Sequence, residues 1–147
     1  IFLINLIKMN FHNKERSLAR ENILKILYQQ DMTNYTLTEV LKSFVEKRVY
    51  DKSYFNNILS LIESNIDPID KKIEKETDII LSSLPPIDRS ILRLAVCEFL
   101  YREDIPKKVI MNESIKIAKK YSSDKSYKFI NTILDKISKL LENNDKK

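Results

Sequence analysis

The stretch from Ile87 to Lys136 reads IDRSILRLAVCEFLYREDIPKKVIMNESIKIAKKYSSDKSYKFINTILDK. Its apolar residues recur every three or four positions and show no sustained alternation, which is the period of helices and not of strands. Three helices follow from it. One runs from about Ile87 to Arg102 and turns Ile91, Leu92, Leu94, Ala95, Val96 and Phe99 inward. Glu103-Asp104-Ile105-Pro106 is a turn, because Pro restricts the residue before it and supplies no N–H. A second helix reaches about Tyr121, and a third covers about Asp124 to Leu141.

The same period extends toward the N-terminus. A first helix is read from about Lys14 to Gln30, with Leu18, Ile23, Leu24 and Leu27 inward. A second covers about Leu37 to Lys47 on Val40, Leu41, Phe44 and Val45, and a third starts near Asp51 with Tyr54, Phe55, Ile58, Leu59 and Ile62. Asp67-Pro68 reads as an N-cap with Pro at the first helical position, opening a fourth helix that Pro85-Pro86 stops. The fold class is therefore all-α, with about seven helices in two small helical-bundle subdomains sharing a core. We expect a single domain over 13–142, with subdomains of about 13–66 and 67–142, a poorly structured lead-in over 1–12 and a frayed tail over 143–147.

Composition narrows the function. The chain has 147 residues, with 26 Lys+Arg against 21 Asp+Glu, one Cys, one His and no Gly. Average usage would supply about ten glycines in such a length. Without them the chain cannot build a phosphate loop or a Gly-dependent dinucleotide site, since both need backbone only Gly permits. One Cys makes an intramolecular disulfide impossible and suits a reducing compartment. The opening IFLINLIK is too short to span a bilayer and lacks the flanks of a signal peptide. We expect Ile1–Lys8 to come from an upstream start and Met9 to begin the functional chain, which the intact mass of the native protein tests. Nothing else approaches a membrane span, so the chain reads as a soluble cytoplasmic protein.

No group of residues proposes a reaction. Cys97 lies among Leu94, Ala95, Val96 and Phe99 and reads as a buried small hydrophobe. His12 has no second His or Cys nearby, so no metal site and no cofactor is expected. Asp51, Asp67 and Asp124 read as N-caps, and Asp88-Arg89 as a capping and ion-pair arrangement.

Charge points to binding. Residues 1–25 hold five basic and two acidic side chains, residues 26–106 ten and fourteen, and residues 107–147 eleven and five. Basic ends flanking an acidic middle suit an anion that meets both ends. On the first helix Arg16, Arg20, Ile23 and Leu27 share one stripe, cationic in its first two turns and apolar after them, with Lys14 beside it. That stripe either meets a phosphate backbone or pairs its arginines with Glu15 and Glu21. On the last helix Lys125, Thr132, Lys136 and Lys139 share a stripe, with Lys128 beside it and Phe129 between the lysines and the apolar edge. A ring so placed either stacks on a base while lysines hold phosphates, or packs on the core rim.

DRSILRLAVCE, IPKKVIMNESIKIAKKY and SYKFINTILDK, in that order, resemble the NusB family of bacterial transcription antitermination factors. RSLARENILKILYQ, Arg16 to Gln29, resembles the first helix of that family, and DKSYFNNIL, Asp51 to Leu59, its third. The segment Asp31–Tyr50 matches little. The resemblance implies a non-enzymatic, all-helical protein that binds boxA-type RNA together with NusE, a ribosomal small-subunit protein. It acts within the RNA polymerase antitermination complex, especially in ribosomal RNA operons. The implied RNA-binding residues are Lys14, Arg16, Arg20, Tyr28, Lys128, Phe129 and Asn131, to which the local charge adds Lys125. Ser17 and Leu18 stand where arginines often occur, Thr132 where Gly is usual and Cys97 where Tyr is usual; a common Trp is absent.

The mechanism read from these residues is a clamp without chemistry. We expect the opening and closing helices to lie side by side and to form one groove for an unpaired strand. Five phosphate contacts would give a slope of log affinity on log salt of about −3.5. The acidic middle would suit a basic ribosomal protein. Two alternatives are a helical protein-interaction module with little RNA binding of its own, and the front domain of a ribosomal RNA cytosine methyltransferase. The second needs a downstream Gly-rich cofactor domain that this sequence does not contain.

Overall fold

The computed structural model describes residues 1–145, and among them every regular element is a helix. In order they are α1 (Phe2–Thr33), α2 (Leu37–Ser43), α3 (Lys52–Ser64), α4 (Ile66–Thr77), a single 3-10 turn (Leu81–Ser83), α5 (Pro86–Tyr101), α6 (Lys107–Tyr121) and α7 (Asp124–Asp145). The chain forms two compact units, Ile1–Ser60 and Leu61–Lys147, so the division falls inside α3, ahead of the break expected near Asp67.

In the first unit, Ala19, Ile23, Leu24, Ile26 and Leu27 of α1 are buried, as are Val40, Tyr54, Phe55, Ile58 and Leu59. Helix α1 stops where Asn34 turns left-handed at φ 59° and its N–H donates to the Gln30 carbonyl at 2.9 Å. Asn is tolerated there because its short amide bonds locally, and Asp78 does the same after α4 at φ 55°. These two residues stand where a chain with glycine would commonly place it. Thr36 and Glu39 form a reciprocal capping box at the start of α2. Asp51 Oδ1 accepts the Tyr54 N–H at 3.0 Å, as the cap reading requires.

The second unit is organised around α5, which touches α4, α6 and α7. Every residue from Ser90 to Phe99 except Arg93 is buried. Arg93 makes a bidentate pair with Asp70 of α4, at 2.8 and 2.9 Å. Ile69 and Ile73 of α4, Ile110 and Ile117 of α6, and Ile130, Leu134 and Ile137 of α7 are buried as well. A helix apolar on most of its circumference must be covered from several sides, and the three neighbours do this.

Several boundaries differ from the sequence reading. Residues 2–12, expected to be a poorly structured lead-in, continue helix α1, with every side chain from Ile1 to Lys14 exposed. They contain no Pro or Gly, so nothing local stops the helix. Helix α2 ends at Ser43, short of Lys47. Phe44 turns extended and stacks on Phe55 at 5.8 Å, and Arg48 folds back on Glu46 through three bonds of 2.9 Å. The N-cap of α4 is Asn65, which puts Asp67 and Pro68 in its first turn. Helix α4 ends at Thr77, ahead of Pro85-Pro86, which open α5. The cap of α7 is Ser123 and not Asp124, since Ser123 Oγ accepts the Ser126 N–H at 3.1 Å. The expected tail over 143–147 is helical to Asp145, and residues 146–147 lie outside the described residues.

Cys97 is fully buried. Burial pushes its thiol up to about 12 from an ordinary 9.0, and the Glu98 carboxylate acts in the same direction. The unfolded chain therefore releases this proton near pH 9.0, while the native protein holds it until about pH 12. The stability gained is full below the lower value and declines as pH rises toward the upper one. Cys97→Ala should remove this part of the alkaline decline, measured as midpoint against pH. Native protein at pH 9 should resist iodoacetamide until it unfolds; alkylation at the rate of a free thiol would contradict the burial.

Candidate nucleic-acid interface

Two surfaces carry the candidate residues, one in each unit. In the first, Lys14 is exposed on the outer part of α1. Arg16, one-quarter exposed, contacts Asp51 Oδ2 through Nε and Nη2, both at 3.4 Å. Its guanidinium lies 4.9 Å from the centroid of the Tyr54 ring, and that of Arg20 lies 5.0 Å from the same ring. Arg20 is only 3% exposed. Arg20 is thus held against the ring with little of its surface open to solvent. The stripe bends inward one turn earlier than periodicity alone shows, because Tyr54 offers a ring that draws the cation in. Tyr28, two turns further along α1, is 36% exposed, and Met32 and Tyr35 continue the exposed apolar surface.

The second surface is the start of α7. Lys125, Lys128 and Asn131 are exposed, and Phe129 keeps 38% of its surface in solvent, so its ring is not a buried core group. Lys125 and Phe129 are one helical turn apart, as are Lys128 and Thr132, whose hydroxyl donates to the Lys128 carbonyl at 3.0 Å. Lys139, further along the stripe, pairs with Asp135 at 2.9 Å, which raises the pKa of its ammonium group.

A buried carboxylate bonds to the turn that precedes this surface. Asp88, in the first turn of α5 and 3% exposed, accepts a bond of 2.8 Å from Ser122 Oγ in the turn between α6 and α7. Ser122 N–H also closes α6 on the Ala118 carbonyl, at 2.8 Å. Arg89 donates to the carbonyls of Leu81 and Leu84, at 3.2 and 3.4 Å. Asp88 and Arg89 therefore anchor two separate segments, where the sequence suggested a local cap. Sequence reasoning also missed Lys119, whose ammonium lies 5.4 Å from the Tyr127 ring, and Lys120, at the same distance from Tyr121. The available signal was the doublet before the turn: lysines in the last turn of one helix lie beside the first turn of the next.

Among the described residues no three His, Cys, Asp or Glu side chains are grouped to hold a metal ion. A cavity of about 370 Å³ lies where α5 leads into α6, lined by Phe99, Arg102, Ile105, Lys107, Ile110 and Leu141 among others. Arg102 there forms a pair of 2.9 Å bonds with Asp104. No helix of the described residues is long and apolar enough to cross a membrane.

These features define, among the described residues, a seven-helix, all-α protein built as two units around buried apolar helices. The model of the NusB family matches residues 17–139, and the chain belongs to that family. It is 40% identical over 130 residues to the transcription antitermination protein NusB of Clostridium novyi, covering 84% of this chain and 98% of that one. It is 44% identical over 127 residues to that of Buchnera aphidicola, covering 84% and 89%. Among solved structures, NusB of T. maritima superposes with a TM-score of 0.75 at 34% identity, over 84% of this chain and 90% of that one. A crystal structure of the antitermination factors NusB and NusE in complex with dsRNA contains a chain that superposes with a TM-score of 0.74 at 26% identity, over 86% and 98%.

Ser122→Ala should leave the buried Asp88 carboxylate without this donor. We expect a loss of about 1–3 kcal/mol in unfolding free energy, measured by denaturant titration; an unchanged midpoint would show that the turn does not depend on this bond.

Proposed function

We propose that this chain is a non-catalytic, cytoplasmic transcription antitermination factor. It binds boxA-type single-stranded RNA together with NusE and supports read-through by RNA polymerase in ribosomal RNA operons. The observation that carries the reading is Phe129: a ring with more than a third of its surface exposed, bordered by Lys125 and Lys128, on a chain of the NusB family. Exposed apolar rings cost free energy in water, and a base stacked on one recovers it while the lysines neutralise the adjoining phosphates. The solved relative crystallised with NusE in complex with dsRNA supports NusE and RNA as the two classes of partner, and the exposed ring is what favours an unpaired strand.

In this reading Lys14, Arg16, Lys125 and Lys128 contact phosphates, Phe129 and Tyr28 stack on bases, and Asn131 reads a base edge. Arg20, being buried, serves the arrangement of α1 and not the RNA directly. A second reading has one observation in its favour. Arg16 is paired with Asp51, and the Arg20 guanidinium sits on Tyr54, so the first surface offers less charge than its sequence suggests. In that reading the chain docks proteins and binds RNA weakly by itself.

Titration of a boxA-type RNA with and without NusE separates the two. Four phosphate contacts give a slope of log affinity on log salt of about −2.8. Phe129→Ala should weaken binding by about 1–3 kcal/mol with little change in melting temperature. A flat salt response and an unaltered affinity of Phe129→Ala would favour the protein-docking reading.

A further inference from the structure

We propose that Tyr54 is a positioning residue for RNA binding: its buried ring seats the Arg16 guanidinium and, with Asp51, presents that cation preorganised for a phosphate. The inference rests on the RNA-binding reading above and deepens it. Tyr54 is 2% exposed and touches no solvent-borne ligand itself. It lies under two cations from α1, Arg16 at 4.9 Å and Arg20 at 5.0 Å from the ring centroid. Residues four apart on a helix point the same way, so one ring can receive both. Two like charges repel at such range, and the negative face of a ring is a neutral group that offsets the repulsion.

The ring is itself held at several points. The Tyr54 N–H donates to Asp51 Oδ1 at 3.0 Å, and the Asp51 N–H donates to the Glu15 carbonyl of α1 at 3.1 Å. The start of α3 is thereby tied to the helix turn that carries Arg16. Asp51 Oδ2 then takes the Nε–Nη2 edge of Arg16, at 3.4 Å to each atom. Those bonds use one edge of a planar fork and leave Nη1 for an acceptor outside the protein. Asp51 orients Arg16 and offsets part of its charge, through contacts as long as 3.4 Å. The ring adds a second support that carries no net charge of its own. Of the two stacked arginines only Arg16 reaches solvent, with 26% of its side chain exposed. Holding a long side chain in place before binding lowers the ordering cost that a free arginine would meet on the RNA.

The test is boxA-type single-stranded RNA binding by the full chain as a function of salt. Tyr54→Leu should weaken binding about threefold to tenfold and flatten the salt slope by about 0.7, one phosphate contact. Tyr54→Phe, which keeps the ring, should restore both. Arg16→Gln should flatten the slope equally, and in that background Tyr54→Leu should add nothing. If Tyr54→Leu leaves affinity and slope unchanged while Arg16→Gln and Phe129→Ala weaken binding, the role of Tyr54 is wrong and the RNA reading stands. If Arg16→Gln and Phe129→Ala are both without effect, the RNA reading falls and this proposal with it. Should Tyr54→Leu fail to fold, ¹⁵N relaxation at Arg16 Nε in the free wild-type protein decides the matter. Order comparable to the backbone supports the seat, and a freely rotating guanidinium overturns it.

Discussion

The burial of helix α5 is the constraint on which the second unit depends. A helix with Ser90 to Phe99 almost wholly inside cannot exist without cover on several sides, and α4, α6 and α7 supply it. In its part-buried first turn Asp88 alone is buried, and a carboxylate without water requires a donor. Ser122 is that donor, and it lies in the turn that joins α6 to α7. That bond ties the start of α5 to the turn ahead of α7, the helix that offers Phe129 and its neighbouring lysines to solvent.

The first unit uses its cations differently. Arg16 and Arg20 are drawn toward Tyr54 and Asp51, and only one of the two retains appreciable exposure. The guanidinium suits this dual use because its flat face stacks on a ring while its edges remain donors. Membership of the NusB family and the helical order agree with this arrangement, yet neither says which arginine faces outward. The absence of glycine is met in the same economical way, with Asn34 and Asp78 accepting the left-handed conformation at two helix ends.

Much of this was legible from residue order alone. The apolar period located seven helices, and the ends of α5 and α6 fell within a residue or so of their observed positions. Phe129, placed by periodicity between a lysine stripe and an apolar edge, does straddle that border. The misreadings have local causes. Asp67-Pro68 looked like a cap but lies inside the first turn of α4, because Asn65 already opens that helix. Val45 seemed inward, but α2 ends before it, where Phe44 leaves the helix to reach Phe55 and the Glu46–Arg48 pair folds the chain locally.

Sequence by itself determined the helical class, the lack of glycine-dependent sites and the presence of cations near both ends. Each depends on neighbours within a few positions, where spacing and residue type are enough. Only the tertiary structure decided the fate of individual charges. Arg16 meets Asp51 thirty-five residues along the chain, and Ser122 meets Asp88 thirty-four away. Contacts of that span leave no periodic trace in the sequence, because they depend on how helices pack and not on how each one turns.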